Sequence, residues 1–293
     1  MAIATVIGGT GRMGAWFADF LRKNGYRIII SDKNDRNGRN IARQKRFRFI
    51  KDSRLAVQPA QLVVLATPTE ATKHILLKIE PHLSSSCLLV EISSIKEPVR
   101  AILQSMKRRG ITVLSIHPMF GPGIKNLTGK TIITTLLPRG RSAAEFLSLF
   151  RKEGARIIRS DFDHHDKFAS FTLALPHFMN VAFVNVLKTS GLSPNELRAV
   201  AGTTFKLQLL IAEMVYRESF GNEISILMDS KNLLETLKAF VRYSNRTLWM
   251  LGREKRGDLL QDLRKGQCYL QKDLIFPGVD GRFNAAVEAS SAH

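Results

Sequence analysis

Gly9-Thr10-Gly11-Arg12-Met13-Gly14 follows a short apolar run, residues 2–7, and opens a stretch with helical spacing. The spacing is G-x-G-x-x-G, and its place between a strand and a helix is the one a dinucleotide site requires. In that reading the first glycine allows a tight turn and the second lets the backbone approach a pyrophosphate. The third lets the helix pack on the strand. The amides of Thr10, Arg12 and Met13 then sit at a helix N-terminus, where unpaired N–H groups favour phosphate. Asp32 ends the second apolar run, 18 residues after Gly14. A carboxylate there accepts from a ribose diol and repels a 2′-phosphate, so NAD is the expected cofactor. Lys33, Arg36 and Arg39 pull the other way, toward a phosphate.

Outward from this turn, strand and helix patterns alternate. Residues 12–24 place Met13, Phe17, Phe20 and Leu21 at helical spacing, and Gly25 ends the helix. Runs at 27–31, 62–67, 87–92 and 112–116 read as buried strands, with helices at 70–79 and 97–109 between them. Such alternation predicts a parallel sheet covered on both faces. Thr67-Pro68 falls at the carboxyl edge of that sheet, where loops line the crevice. Weaker signals continue at 131–136, 142–152 and 156–158. Beyond Ser160 the pattern is helical throughout. Phe168, Phe171, Leu175, Phe178 and Ala182 keep helical spacing, as do Leu207, Leu210, Ile211, Met214 and Val215. The expected architecture is an α/β Rossmann-type dinucleotide-binding domain, residues 1–160, followed by an all-α helical domain, residues 161–278. Residues 279–293 are expected to form a flexible tail.

The chain has 293 residues, long enough for two domains without staples. Two cysteines, Cys87 and Cys268, make neither a disulfide framework nor a zinc site. They point to a reducing compartment, and the cytoplasm is expected. No apolar run approaches a membrane span, and no basic segment precedes the first strand as a secretory leader would. The net charge of +19 raises the question of nucleic acid. Residues 22–54 alone carry 12 Lys and Arg against 3 Asp and Glu. No aromatic-interleaved groove or zinc-finger spacing accompanies them, so the blander readings are a solvated surface or a field that gathers anionic ligands.

Two further strand ends carry polar groups: Glu91-Ile92-Ser93-Ser94-Ile95-Lys96, and Ser115-Ile116-His117-Pro118-Met119-Phe120-Gly121-Pro122. A histidine before proline is held extended, and its ordinary pKa of about 6.5 suits a general base near neutrality. Together with the glycine turn, Ser-Ser-Ile-Lys and His-Pro-Met-Phe-Gly-Pro resemble the prephenate dehydrogenase family. His164-His165-Asp166-Lys167, Ala174-Leu175-Pro176-His177-Phe178 and Phe205-Lys206-Leu207-Gln208-Leu209 extend the likeness over residues 2–273.

The resemblance implies oxidative decarboxylation of prephenate to 4-hydroxyphenylpyruvate, in tyrosine biosynthesis. By analogy His117 accepts the proton of the ring hydroxyl, and Ser94 hydrogen-bonds His117 or that hydroxyl. His177, Lys206 and His165 are implied to bind substrate. Twelve residues of straight helix turn His165 away from His177 by about 120°, unless Pro176 kinks the helix. Lys206 stands where the family usually has arginine, and a lysine grips a carboxylate as a point charge rather than a fork. Arg198 or Arg217 are alternatives, and arogenate is the alternative substrate. A homodimer through the helical half is implied. Two other readings stay open: a β-hydroxy-acid dehydrogenase using Lys167 or Lys188, and a non-catalytic NAD sensor that meets nucleic acid through its basic surface.

Overall fold

The computed structural model describes residues 1–217, 220–230, 232–272 and 278–291. β1 (Ile3–Ile7) pairs in parallel with both β2 (Arg27–Ser31) and a later strand, β4 (Leu62–Leu65). Between them the chain forms α1 (Arg12–Lys23), α2 (Asp35–Lys45), β3 (Arg48–Phe49) and α3 (Ser53–Val57). Then follow α4 (Thr69–Ile79), β5 (Leu88–Glu91), α5 (Glu97–Arg108), β6 (Thr112–Pro118), β7 (Thr131–Leu136), α6 (Arg141–Lys152) and β8 (Arg156–Arg159). Among the described residues these strands make one sheet, in the order β3-β2-β1-β4-β5-β6-β7-β8. The order reverses between β1 and β4, which places the ligand crevice of a doubly wound sheet at the carboxyl ends of those two strands.

The sheet is not wholly parallel. β6 runs antiparallel to β7, while β8 is again parallel to β7. The reason is local: residues 119–130 join β6 to β7 without a helix, and a parallel crossover needs one. A register shift at Ser115/Ile116 interrupts that pairing just before His117. Such bulges re-aim side chains beside functional sites.

Each face of the sheet carries its own core. Phe17, Phe20 and Leu21 of α1 join Phe146 and Phe150 of α6 over Val6, Ile30, Val64, Val90 and Leu114. Leu76 and Ile79 of α4 join Val99, Leu103 and Met106 of α5 over Ile7, Val63, Leu65 and Leu89. Each such side chain contributes roughly 1.5–3 kcal/mol by leaving water.

The helical elements begin with α7 (Phe162–Ala169), a π-helical turn at Ser170–Ala174 and α8 (Leu175–Thr189). α9 (Pro194–Ala199), α10 (Thr203–Arg217), α11 (Phe220–Met228), α12 (Leu233–Gly252), α13 (Arg256–Gln271) and α14 (Val279–Ser291) complete the described chain. Two compact units result: Met1–Ala169 with Ile224–Lys231, and Ser170–Glu223 with Asn232–His293. The division therefore falls at Ala169/Ser170 rather than at residue 160. α7 stays with the sheet because Phe162 is buried in its core and Asp163 pairs with Arg100 at 2.6 Å.

The tail expected to be flexible from residue 279 is instead helical as α14. Residues 273–277, just before the expected end of the helical half at residue 278, lie outside the described residues. One described helix, Phe162–Thr189, is long and apolar enough to cross a membrane by length and composition. It was missed as an apolar run because His165, Asp166 and Lys167 break its beginning. In this single chain Phe171, Met179 and Val186 on it are exposed. So are Leu210, Ile211 and Met214 of α10, while Leu209, Ala212 and Val215 form its buried stripe.

Candidate active site

The glycine turn lies at the reversal of strand order. Gly8, not Gly9, has the left-handed backbone, with φ +80°, and a Cβ there would stand 2.3 Å from Ala66 O at the end of β4. A Cβ on Gly9 would meet Ile30 of β2 at 2.7 Å, and one on Gly14 would meet Gly8 O at 2.1 Å. The tight-turn role expected of Gly9 therefore falls on Gly8. Gly9 and Gly14 serve close packing. Gly11 caps α1, and its missing Cβ would approach only Gly8 O, at 3.2 Å. Thr10, Arg12 and Met13 follow the turn into α1, whose first turn holds no acidic residue. This open helix start, free of acidic side chains and beginning with Arg12, fits a pyrophosphate.

Asp32 directly follows β2, with one carboxylate oxygen accepting from the Thr10 amide at 3.2 Å and the other from the Asn34 amide at 3.1 Å. The second loop of the crevice is Thr67-Pro68. Pro68 caps α4, and Thr67 Oγ1 meets Thr72 Oγ1 at 2.8 Å. All these groups stand on one edge of the sheet, and together they fit a dinucleotide.

The same edge carries a buried polar network at the ends of β5 and β6. Glu91 is fully buried and accepts from Lys96 Nζ at 2.9 Å, from Ser115 Oγ at 2.8 Å and from the Ser93 amide. Thr135 of β7 donates to Ser115 Oγ at 2.9 Å. Lys96, also fully buried, gives a second bond to Ile116 O at 2.7 Å, which ties down the residue before His117. His117 is buried, and its Nδ1 lies 2.9 Å from His165 Nε2. His165 Nδ1 lies 2.7 Å from Asp166 Oδ1. Asp166 also accepts from the Lys96 and Glu97 amides at 3.0 and 2.9 Å.

Burial pushes the His117 imidazole well below its ordinary pKa, helped by His165 and the Lys96 ammonium. Burial likewise lowers His165, against the opposing pull of Asp166. His117 is thus a neutral base near neutral pH.

Two expectations change. The group on His117 Nδ1 is His165, not Ser94, which is half-buried one residue before Ile95. His165, fully buried between His117 and Asp166, has no edge left for substrate. Lys96, Glu91 and Asp166 were not singled out in the sequence as site residues. A lysine and an acid five residues apart gave no signal of burial.

In the helical unit, His177 Nδ1 pairs with Glu223 Oε2. Glu223 is buried, and its Oε1 has no hydrogen-bond partner among the described residues. Asn180 accepts from Gln208 at 2.8 Å, joining α8 to α10. Pro176 lies in the first turn of α8, directly after the π-helical turn Ser170–Ala174 that interrupts the regular helix. Lys206 is exposed on α10, Arg217 is exposed at its end, and Arg198 pairs with Glu213.

A glycine cradle at the switch point, an acid directly after β2 and a buried histidine on the same edge define a doubly wound nucleotide-binding protein. Residues 17–158 match the family model for the prephenate dehydrogenase nucleotide-binding domain. It is 26% identical over 240 residues to a probable arogenate/prephenate dehydrogenase of Methanocaldococcus jannaschii, covering 81% of this chain and 54% of that protein. It is 28% identical over 240 residues to the T-protein of Haemophilus influenzae, covering 80% of this chain and 58% of that protein. The chain thus spans little more than half the length of these relatives. The prephenate dehydrogenase of A. aeolicus, solved with hydroxyphenyl propionate and NAD+, has the same fold. Its TM-score is 0.73 at 19% identity, with 93% of this chain and 98% of that one covered.

Proposed function

We propose that this protein is a prephenate dehydrogenase that couples oxidation and decarboxylation of prephenate to NAD+ reduction. The observation that carries this reading is His117, a buried neutral imidazole ending β6 on the edge that holds the glycine cradle. Gly8, Gly9, Thr10, Gly11, Arg12, Met13 and Gly14 would hold the pyrophosphate, Asp32 the ribose diol, and Thr67-Pro68 the facing wall. NAD+ bound there supplies the hydride acceptor.

His117 takes the proton of the ring hydroxyl as that carbon gives up hydride. The ring carboxylate leaves as carbon dioxide, its bonding pair enters the ring, and the phenol oxygen recovers the proton from His117. Help of this kind is worth roughly 10²–10⁴-fold. Ser94 hydrogen-bonds the substrate hydroxyl. His177 and Lys206 are the proposed substrate-binding residues of the helical unit, with Arg217 the remaining cation on α10. Lys167 and Lys188 are exposed, which sets the β-hydroxy-acid reading behind this one.

Arogenate is the second reading, and one observation favours it. It carries an ammonium where prephenate has a keto group, and Glu223 Oε1 is a buried acceptor without a donor among the described residues. The test is NADH formation by the purified protein with prephenate, beside the same chain carrying His117→Asn. Loss of turnover by at least about 10²-fold in a folded, NAD-binding variant is expected. Full activity in that variant removes His117 from the mechanism.

The exposed apolar residues of α8 and α10 support a homodimer through the helical unit. The anionic substrate and cofactor account for part of the basic charge without nucleic acid. Cys87 and Cys268 are both free thiols, in keeping with the cytoplasm.

A further inference from the structure

We propose that Asp166, His165 and His117 form a single proton relay, in which Asp166 and His165 are positioning residues that decide which nitrogen of His117 is free to accept a proton. This rests on the reading of His117 as the base, and extends it to two residues that touch no substrate.

The geometry fixes the protons in sequence. The Asp166 carboxylate is 4% exposed and already accepts two backbone amides, from Lys96 and Glu97. An ionised carboxylate only accepts, so the 2.7 Å contact requires the hydrogen of His165 to sit on Nδ1. The lone pair of neutral His165 is then on Nε2. That atom faces His117 Nδ1 at 2.9 Å, so His117 must donate from Nδ1. The opposite tautomer would set two lone pairs against each other in a buried site. His117 Nε2 is left unprotonated. One carboxylate therefore sets the tautomers of two rings.

The same chain gives the captured charge a resting place. A proton arriving at His117 Nε2 makes an imidazolium on a ring already disfavoured by the buried Lys96 ammonium. Passing the Nδ1 proton of His117 to His165 Nε2 moves the charge onto the ring bonded to Asp166. One N–H bond forms at each of His117 Nε2 and His165 Nε2, while the O–H bond of the ring hydroxyl and the N–H bond at His117 Nδ1 break. The reverse shift returns the proton to the phenol oxygen, with no other reactant. The charged groups around the relay are Glu91 at the end of β5, Lys96 ahead of α5 and Asp166 on α7. Glu91 and Lys96 pair at 2.9 Å, yet Lys96 still disfavours charge on both rings, while Asp166, bonded to His165, is the nearest anion and favours charge on that ring.

Three full-length variants test this: Asp166→Asn, His165→Gln and the double substitution. Histidine ring ¹⁵N chemical shifts of the wild-type chain without substrate are expected to show both His117 and His165 protonated on Nδ1. In Asp166→Asn, kcat is expected to fall about 10²–10⁴-fold, with KM changed by only a few fold. The double variant is expected to be no slower than His165→Gln alone, because Asp166 acts through His165. Because Asp166 also caps α5, its variant is judged only if its circular dichroism matches wild type. Otherwise His165→Gln decides, through a mixed His117 tautomer and a lowered kcat. A wild-type His117 protonated on Nε2, or losses that multiply in the double variant, overturns the relay. An active Asp166→Asn with an inactive His117→Asn overturns the relay alone. An active His117→Asn overturns the functional reading beneath it.

Discussion

Residue scale. His117 and His165 are buried in their neutral forms, and this has a consequence for stability as well as chemistry. Their folded pKa values lie below the ordinary histidine value of about 6.5. As the pH falls below that value, the unfolded chain takes up protons that the folded chain does not. Stability is therefore complete above about pH 6.5 and is lost as the pH falls toward the folded values. The urea midpoint is expected to drop between about pH 7 and about pH 5.5, and to drop less in His117→Asn, which lacks one of the two groups. Equal drops in both chains would mean that His117 is not held neutral by the fold. His117 was legible in the sequence because a His-Pro pair at a strand end is a local pattern. Asp166 was not, because its role depends on amides some seventy residues away. The same holds for Lys96, whose burial is a property of the assembled β5, β6 and α5.

Element scale. The glycine turn was legible because strand, turn and helix are contiguous, although the left-handed residue proved to be Gly8. A Cβ on Gly14 would stand 2.1 Å from Gly8 O, which is backbone and has nowhere to move. Gly14→Ala is expected to destabilise the chain by about 1–3 kcal/mol or more and to abolish NAD binding. Gly121→Ala, which meets open space, is expected to leave stability unchanged. Chemical denaturation and a dinucleotide titration of both variants check this, and a Gly14→Ala chain that binds normally contradicts the packing described. The sequence gives no clear pattern for the segment holding α2, β3 and α3. α2 buries only Gly38 and Ala42, so its apolar stripe is too thin to show. Gly38 is needed there because the Phe49 ring occupies the place of its Cβ, a contact that only β3 creates. The antiparallel β6–β7 pair escaped because sequence alternation says nothing of direction once the connecting helix is missing.

Whole molecule. The α/β-then-helical order was legible from the switch in periodicity, while the exact division was not, because α7 packs by Phe162 and Asp163 onto the sheet. The helical unit leaves Phe171, Met179, Leu210, Ile211 and Met214 exposed in one chain. Apolar surface on this scale marks an interface, so sedimentation at micromolar concentration is expected to give a dimer. Replacing Leu210 and Ile211 by Lys is expected to shift it toward monomer. A monomeric wild-type chain would leave that surface unexplained. His117 is proposed to work beside a bound dinucleotide. The most direct measurement is steady-state formation of reduced nicotinamide, with prephenate and arogenate each crossed with NAD+ and NADP+, for wild type and His117→Asn. Turnover of one of these substrates with NAD+ by the wild type, falling by at least about 10²-fold in the variant, is the predicted result. No turnover of either substrate by the wild type, or equal turnover by both chains, would contradict it.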